Sequence, residues 1–130
     1  MDTKKIIKKR VLIVEDDLLL ARMYQKKFDI ENFQADIVTR GREAISKARD
    51  NYDVIILDIL LPEIDGFEIL KEWKSKEETK KIPVLILTNL GTSQVLIREG
   101  MKLGAEDYFI KSKVSAQDVI DKVKKILKKK

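Results

Sequence analysis

The sequence predicts a doubly wound α/β domain: one parallel sheet of five strands with helices on both faces. Three observations predict it. Unbroken apolar runs recur at residues 11–14, 54–57 and 84–87, and an unbroken rather than alternating pattern marks strands covered on both faces. Longer stretches with helical spacing separate these runs, as right-handed strand–helix–strand connections require. The 130 residues, 44% hydrophobic and 38% charged, supply one core under an ionised surface and too little for two, so residues 1–130 read as a single domain.

The elements follow in order. After a polar, Lys-rich lead over residues 1–9, the first strand is Val11-Leu12-Ile13-Val14. Leu20, Tyr24 and Phe28 then repeat every four residues, with Leu19 and Met23 alongside, which marks an amphipathic helix. A weaker apolar run at 35–38 is an edge strand, and 41–49 is a short second helix. Val54-Ile55-Ile56-Leu57 is the third strand. Asp65, just before Gly66, caps a third helix carrying Phe67, Leu70 and Trp73. Val84-Leu85-Ile86-Leu87 is the fourth strand, and residues 92–103 are a fourth helix stopped by Gly104. Residues 108–110 form a second edge strand. Ser115 caps the last helix, whose Val119, Ile120, Val123, Ile126 and Leu127 share one face while lysines occupy much of the rest. The expected strand order is the flavodoxin-like 2-1-3-4-5, in which ligands bind at the carboxyl ends of the strands.

Two zeros in the composition exclude whole classes of chemistry. With no Cys and no His, disulfides, thiolate nucleophiles, His-based triads, zincins and phosphohistidine carriers are ruled out. Carboxylates, Lys, Arg and hydroxyls remain, so any metal is expected to be hard and oxygen-bound. The net charge of +5, from 27 basic and 22 acidic residues, is too small to identify an acidic partner. No apolar run approaches the ~20 residues a membrane helix needs, and the lead lacks a signal peptide's apolar segment. A cytoplasmic location is the expectation.

The predicted topology brings Glu15-Asp16-Asp17, Asp58, Thr88-Asn89 and Lys111 to one edge of the sheet. Carboxylates held a few ångströms apart repel, and a bound cation relieves them. Mg2+ fits best, since it takes oxygen ligands and is typically held by one or two carboxylates plus phosphate oxygens. A Lys and a Thr hydroxyl facing that cation complete a site for a phosphoryl group. The nucleophile must then be a carboxylate, and Asp58, alone after a buried strand, is the candidate. Asp16 is the main metal ligand on this reading, with Glu15 a second acid.

The segments Val11-Leu12-Ile13-Val14-Glu15-Asp16-Asp17, Val54-Ile55-Ile56-Leu57-Asp58-Ile59-Leu60-Leu61-Pro62, Leu87-Thr88 and Gly104-Ala105-Glu106-Asp107-Tyr108-Phe109-Ile110-Lys111 closely resemble the response-regulator receiver domain of two-component signalling. The resemblance covers essentially the whole chain. It implies Asp58 as phosphoacceptor, Glu15 and Asp16 as the acidic pair, and the Leu60 backbone carbonyl as a further metal ligand. It also implies Thr88 as the hydroxyl that follows the phosphoryl group, Lys111 as its cationic partner and Tyr108 as an aromatic switch. Its implied partners are a histidine kinase or histidine phosphotransfer protein and a downstream protein target. Output is implied through the fourth helix, fifth strand and fifth helix.

The sequence departs from the family at three positions. Ser112 follows Lys111 where the family usually has Pro, often with a cis bond, which costs ~2.5–4 kcal/mol before a non-proline residue. Leu60 and Leu90 occupy positions that tune acyl-phosphate lifetime, and neither can orient a water, so slow self-hydrolysis is expected. Leu60 also stands where a haloacid-dehalogenase-type phosphatase needs a second Asp, which disfavours turnover of an outside substrate.

Each residue alone has a plainer reading. The acidic triplet suits a helix start, Asp58 or Thr88 a cap, Lys111 a solvent-facing strand end, Tyr108 a half-buried edge aromatic. Their convergence reverses that reading. The alternative function is a phosphorylation-independent basic binding module on the same fold. With 6% aromatics and no interleaving of aromatic with basic residues, neither specific nucleic-acid binding nor a membrane partner is expected.

Overall fold

A computed structural model describes residues 7–90 and 93–129. The elements run β1 (Lys9–Val14), α1 (Leu18–Ile30), β2 (Phe33–Val38), α2 (Gly41–Lys47), β3 (Val54–Leu57), α3 (Gly66–Lys74), β4 (Val84–Thr88), α4 (Gln94–Lys102), β5 (Asp107–Ile110), a 3₁₀ turn (Lys111–Lys113) and α5 (Ala116–Lys128). All strand pairs are parallel and the order is β2-β1-β3-β4-β5, as the sequence predicts, with the two weak runs at the edges.

Successive strand residues point to opposite faces, and here both faces are buried. Leu12, Val14, Ile55, Leu57 and Ile86 pack with Ala44 of α2 and Ile69, Leu70 and Trp73 of α3. Val11, Ile13, Val54, Ile56, Leu85 and Leu87 pack with Ala21, Tyr24 and Phe28 of α1 and Val119, Ile120 and Val123 of α5. Truncating one of these fully buried branched residues to Ala would cost about 2–5 kcal/mol. Trp73 is buried packing.

The helices are capped largely where the sequence places caps. Asp65 accepts from the Phe67 amide, and Ser115 with Asp118 forms a reciprocal capping box on α5. Gly104, with φ at 111°, lies just past α4 in a conformation that favours glycine.

Four details differ from expectation. Leu19 and Met23 face outward, 83% and 46% exposed, because Asp17 starts α1 at Leu18 and that phase turns Ala21, Tyr24 and Phe28 to the sheet. The α2 helix ends at Lys47 rather than residue 49, since the Arg49 and Asp50 amides reach back only three residues, to Ser46 and Lys47. The α4 helix begins at Gln94, capped by Ser93, whose side chain accepts from Val95; Thr92, expected in this helix, lies outside the described residues. The first two strands start two residues early, at Lys9 and at Phe33, which stand opposite each other, and the fifth starts one early, at Asp107; most of the Lys-rich lead lies outside the described residues. Among the described residues no helix is long and apolar enough to cross a membrane.

Candidate functional site

Three strand ends build one polar cluster. The Glu15 amide donates to the Val38 carbonyl and the Asp58 amide to the Val14 carbonyl, both at 3.0 Å. The sheet ladder therefore continues one residue past β1 and β3 and fixes both backbones. Glu15 is 5% and Asp58 4% exposed, whereas Asp16 is exposed to solvent. Behind Asp58, α3 presses so close that a Cβ on Gly66 would lie 2.6 Å from the Ile59 Cα and 2.8 Å from the Asp58 carbonyl oxygen, room that only glycine leaves.

Lys111, first residue of the turn after β5, reaches back across the sheet. Its ammonium donates to Glu15 Oε1 and, at 2.8 Å, to Asp58 Oδ2. The other oxygens are held by the backbone: Leu60 N–H donates to Asp58 Oδ1 at 3.0 Å and Asp17 N–H to Glu15 Oε2 at 3.1 Å. Burial pushes the Glu15 carboxyl above its ordinary range, with the Asp58 charge adding to the rise and the bonds from Lys111 and Asp17 opposing it. Burial alone would lower the Lys111 ammonium, but its bonds to Asp58 and Glu15 outweigh that and raise it.

Carboxylate oxygens of Glu15, Asp16 and Asp58 lie within 4.8 Å of one another. Three acids around one ammonium leave negative charge uncompensated. The donor set is entirely hard oxygen, the type that a divalent oxygen-seeking cation takes.

Thr88, the last residue of β4, is fully buried. Its Oγ1 accepts from the Leu90 amide at 3.2 Å. Tyr108 is 7% exposed and its hydroxyl has no hydrogen-bond partner among the described residues. Burial, then the charge of Asp58, raises its phenol. A cavity of about 90 Å³ beside Trp73 and Arg49 shares no residue with this cluster.

Residues 11–124 match the response regulator receiver domain family. The chain belongs to this family. It is 31% identical to the transcriptional regulatory protein ResD of Bacillus subtilis over 92% of this chain and 48% of that protein. The receiver domain of Francisella response regulator 1452 superimposes with a TM-score of 0.86 at 31% identity, covering 94% of this chain and 98% of that one. The chemotaxis response regulator CheY4 of Vibrio cholerae gives 0.84 at 28% identity, covering 93% and 100%. The chain spans about half the length of the curated relatives it matches. Receivers are signalling modules of two-component systems, phosphorylated by histidine kinases and acting on downstream targets, rather than conventional enzymes.

In this receiver Glu15, Asp16, Asp58 and Lys111 come together as the sequence predicts. Thr88 is bound to Leu90 instead of the cluster, and Tyr108 is buried rather than half-buried. Leu60 lies in the turn closed by Asp58 Oδ1, its side chain outward. No cis peptide bond occurs among the described residues. Ser112 uses a donor that proline lacks, its amide bonding Asn89 Oδ1 at 3.1 Å and tying the loop after β4 to the Lys111 turn.

Sequence reasoning missed a second cluster, on the opposite side of the receiver's strands. The Arg10 guanidinium donates to Asp36 Oδ2 at 3.2 Å and to the carbonyls of Asp50 and Asn51, and lies 4.4 Å over the Tyr52 ring. The Tyr52 hydroxyl donates to the same Asp36 oxygen at 2.5 Å, and the Arg10 amide to Asp53 at 2.8 Å. No local pattern signals it, because its hydrogen bonds join residues 16 to 43 positions apart.

Proposed function

We propose that this receiver accepts a phosphoryl group on Asp58 from a histidine kinase or histidine phosphotransfer protein, with Mg2+, and that the acyl phosphate changes protein binding through α4, β5 and α5. The observation that carries the reading is the Asp58 carboxylate itself. It sits at the end of a buried strand, one oxygen on a backbone amide and the other on an ammonium, within an acidic cluster that one Lys leaves undercompensated.

An Asp58 oxygen attacks phosphorus, the donor's phosphorus–nitrogen bond breaks, and the imidazole leaves with the electron pair. Lys111 then moves its hydrogen bond from the carboxylates to the phosphoryl oxygens. The carboxylates of Glu15 and Asp16 and the Leu60 carbonyl are the groups that would hold Mg2+ beside Asp58. When bound, the ion supplies positive charge against the carboxylates and the incoming phosphoryl oxygens. Thr88 gives up the Leu90 amide and turns its hydroxyl proton toward the phosphoryl group. Tyr108 follows into the vacated space, a two-state change biased by the new charge.

The receiver catalyses only its own phosphorylation and dephosphorylation on this reading, and does so in the cytoplasm. Leu60 and Leu90 leave the second reaction slow. Weak, salt-labile DNA binding is all the basic surface of α5 offers. Lys122 already pairs with Asp107 and Lys124 with Glu31.

Intact-mass measurement with a small phosphodonor tests the assignment. One phosphoryl group is expected with Mg2+, none with chelator and none in Asp58→Asn. Equal labelling of Asp58→Asn would remove Asp58 from the mechanism.

A further inference from the structure

We propose that Asn89 is a positioning residue for the phosphoryl site: its side-chain oxygen caps the turn that carries Lys111, and so holds the Lys111 ammonium and the Thr88 hydroxyl at one spacing. The proposal rests on the reading of Asp58 as phosphoacceptor. It adds how the two groups that must grip the same phosphoryl oxygens are kept in place relative to each other.

The first amides of a helical turn need acceptors, and a short polar side chain on the residue before the turn usually supplies one. The 3₁₀ turn Lys111–Lys113 is preceded by Ile110, which has no such group. The acceptor comes instead from another loop, where Asn89 Oδ1 takes the Ser112 amide at 3.1 Å. Strand register makes this possible. Thr88 stands opposite Ile110 where β4 pairs with β5, so Asn89 and Lys111 leave the sheet at the same level. Thr88 Oγ1 accepts from the Leu90 amide, which closes a tight turn around Asn89. Each end of the Asn89–Ser112 bond therefore lies one residue from a group of the site, Thr88 on one side and Lys111 on the other. Lys111 reaches Glu15 and Asp58 on a flexible four-carbon stem, and its hold is only as fixed as the backbone beneath it. Both partners are needed, since a proline at position 112 would have no amide to donate.

Trace acetylation with acetic anhydride, located by mass spectrometry and run without phosphodonor, reads the ammonium. The ratio of Lys111 to the exposed Lys113 is low while Glu15 and Asp58 hold Lys111. Asn89→Leu keeps the bulk of the side chain and lacks the acceptor. It is expected to raise that ratio about five-fold, the size of one neutral hydrogen bond, and to slow phosphoryl uptake from acetyl phosphate and Mg2+ by a similar factor. Asn89→Asp keeps the acceptor and is expected to leave the ratio at the wild-type value. In a Ser112→Pro background, where the donor is gone, Asn89→Leu is expected to change neither quantity. An unchanged ratio in Asn89→Leu, or an equal further change in the Ser112→Pro background, overturns the proposal. Failure of wild-type protein to take up a phosphoryl group would count against the Asp58 reading, and the acetylation ratio, measured without a donor, would still decide the role of Asn89.

Discussion

Arg10 and Lys111 each stand among acids on this sheet, one toward the amino end of β1 and the other past the carboxyl end of β5, but their surroundings differ in proportion. Around Arg10 the partners are Asp36, two backbone carbonyls and the face of Tyr52, which match a planar, multi-donor cation. Around Lys111 are two buried carboxylates with a third close by. The first cluster is saturated and serves the fold. The second has more negative charge than its ammonium compensates, the condition under which a bound cation is favourable. The ratio of donors to acceptors, rather than the residue types, separates a structural cluster from a functional one.

The contrast makes predictions of opposite sign. The largest effect is expected from Arg10→Ala, which leaves Asp36 with the Tyr52 hydroxyl, uncovers the Tyr52 ring and frees the Asp50 and Asn51 carbonyls, and should cost about 2–3 kcal/mol in urea unfolding; a cost below about 0.5 kcal/mol, typical of surface positions, would put the cluster among ordinary surface ion pairs. Next comes Mg2+. At 100 times its dissociation constant a ligand stabilises the fold by about 2.7 kcal/mol. The gain should appear in wild type and Arg10→Ala alike and largely vanish in Asp16→Ala, and an equal response in Asp16→Ala would take the acids out of metal binding. Smaller still, Asp58→Asn without metal should raise stability by about 1 kcal/mol, because the repulsion with Glu15 is gone and Lys111 keeps its pair with Glu15, while the single amide oxygen retains one of the two bonds that Asp58 accepts. A drop in its melting temperature would mean that the Lys111 cluster is as balanced as the Arg10 one.

The smallest effect is seen in alkali. Burial, then the hydrogen bond to Asp36, raises the Tyr52 phenol above its ordinary value. The folded state therefore holds this proton more tightly. The stability it contributes is complete below the ordinary tyrosine range, near pH ~10, and is lost as pH rises from there toward the raised value. Tyr52→Phe should flatten part of that decline, to which Tyr24, Tyr108 and Lys111 also contribute. An unaltered slope would separate Tyr52 from the cluster.

Much of the Lys111 cluster could be read from the sequence, because its residues directly follow the strands that carry them. Asp58 ends an unbroken apolar run, and so does Glu15, so predicting the strands locates the acids. The Arg10 cluster gives no such signal, since contact with Asp36 and Tyr52 depends on strand register and on the α2–β3 loop. The outward turn of Leu19 and Met23 depends on one cap, Asp17, which sets the helix phase by a fraction of a turn.

The reach of Lys111 to Glu15 spans 96 residues of chain and its reach to Asp58 spans 53. Contacts so distant in sequence form late, because the intervening chain must be ordered before they can close. During synthesis at about 5–20 residues per second, Lys111 is added roughly 5–20 s after Glu15. A nascent chain can thus hold β1 and β3 with their acids already exposed, yet lack the ammonium that completes the cluster. No nascent chain that stops short of Lys111 carries the assembled cluster.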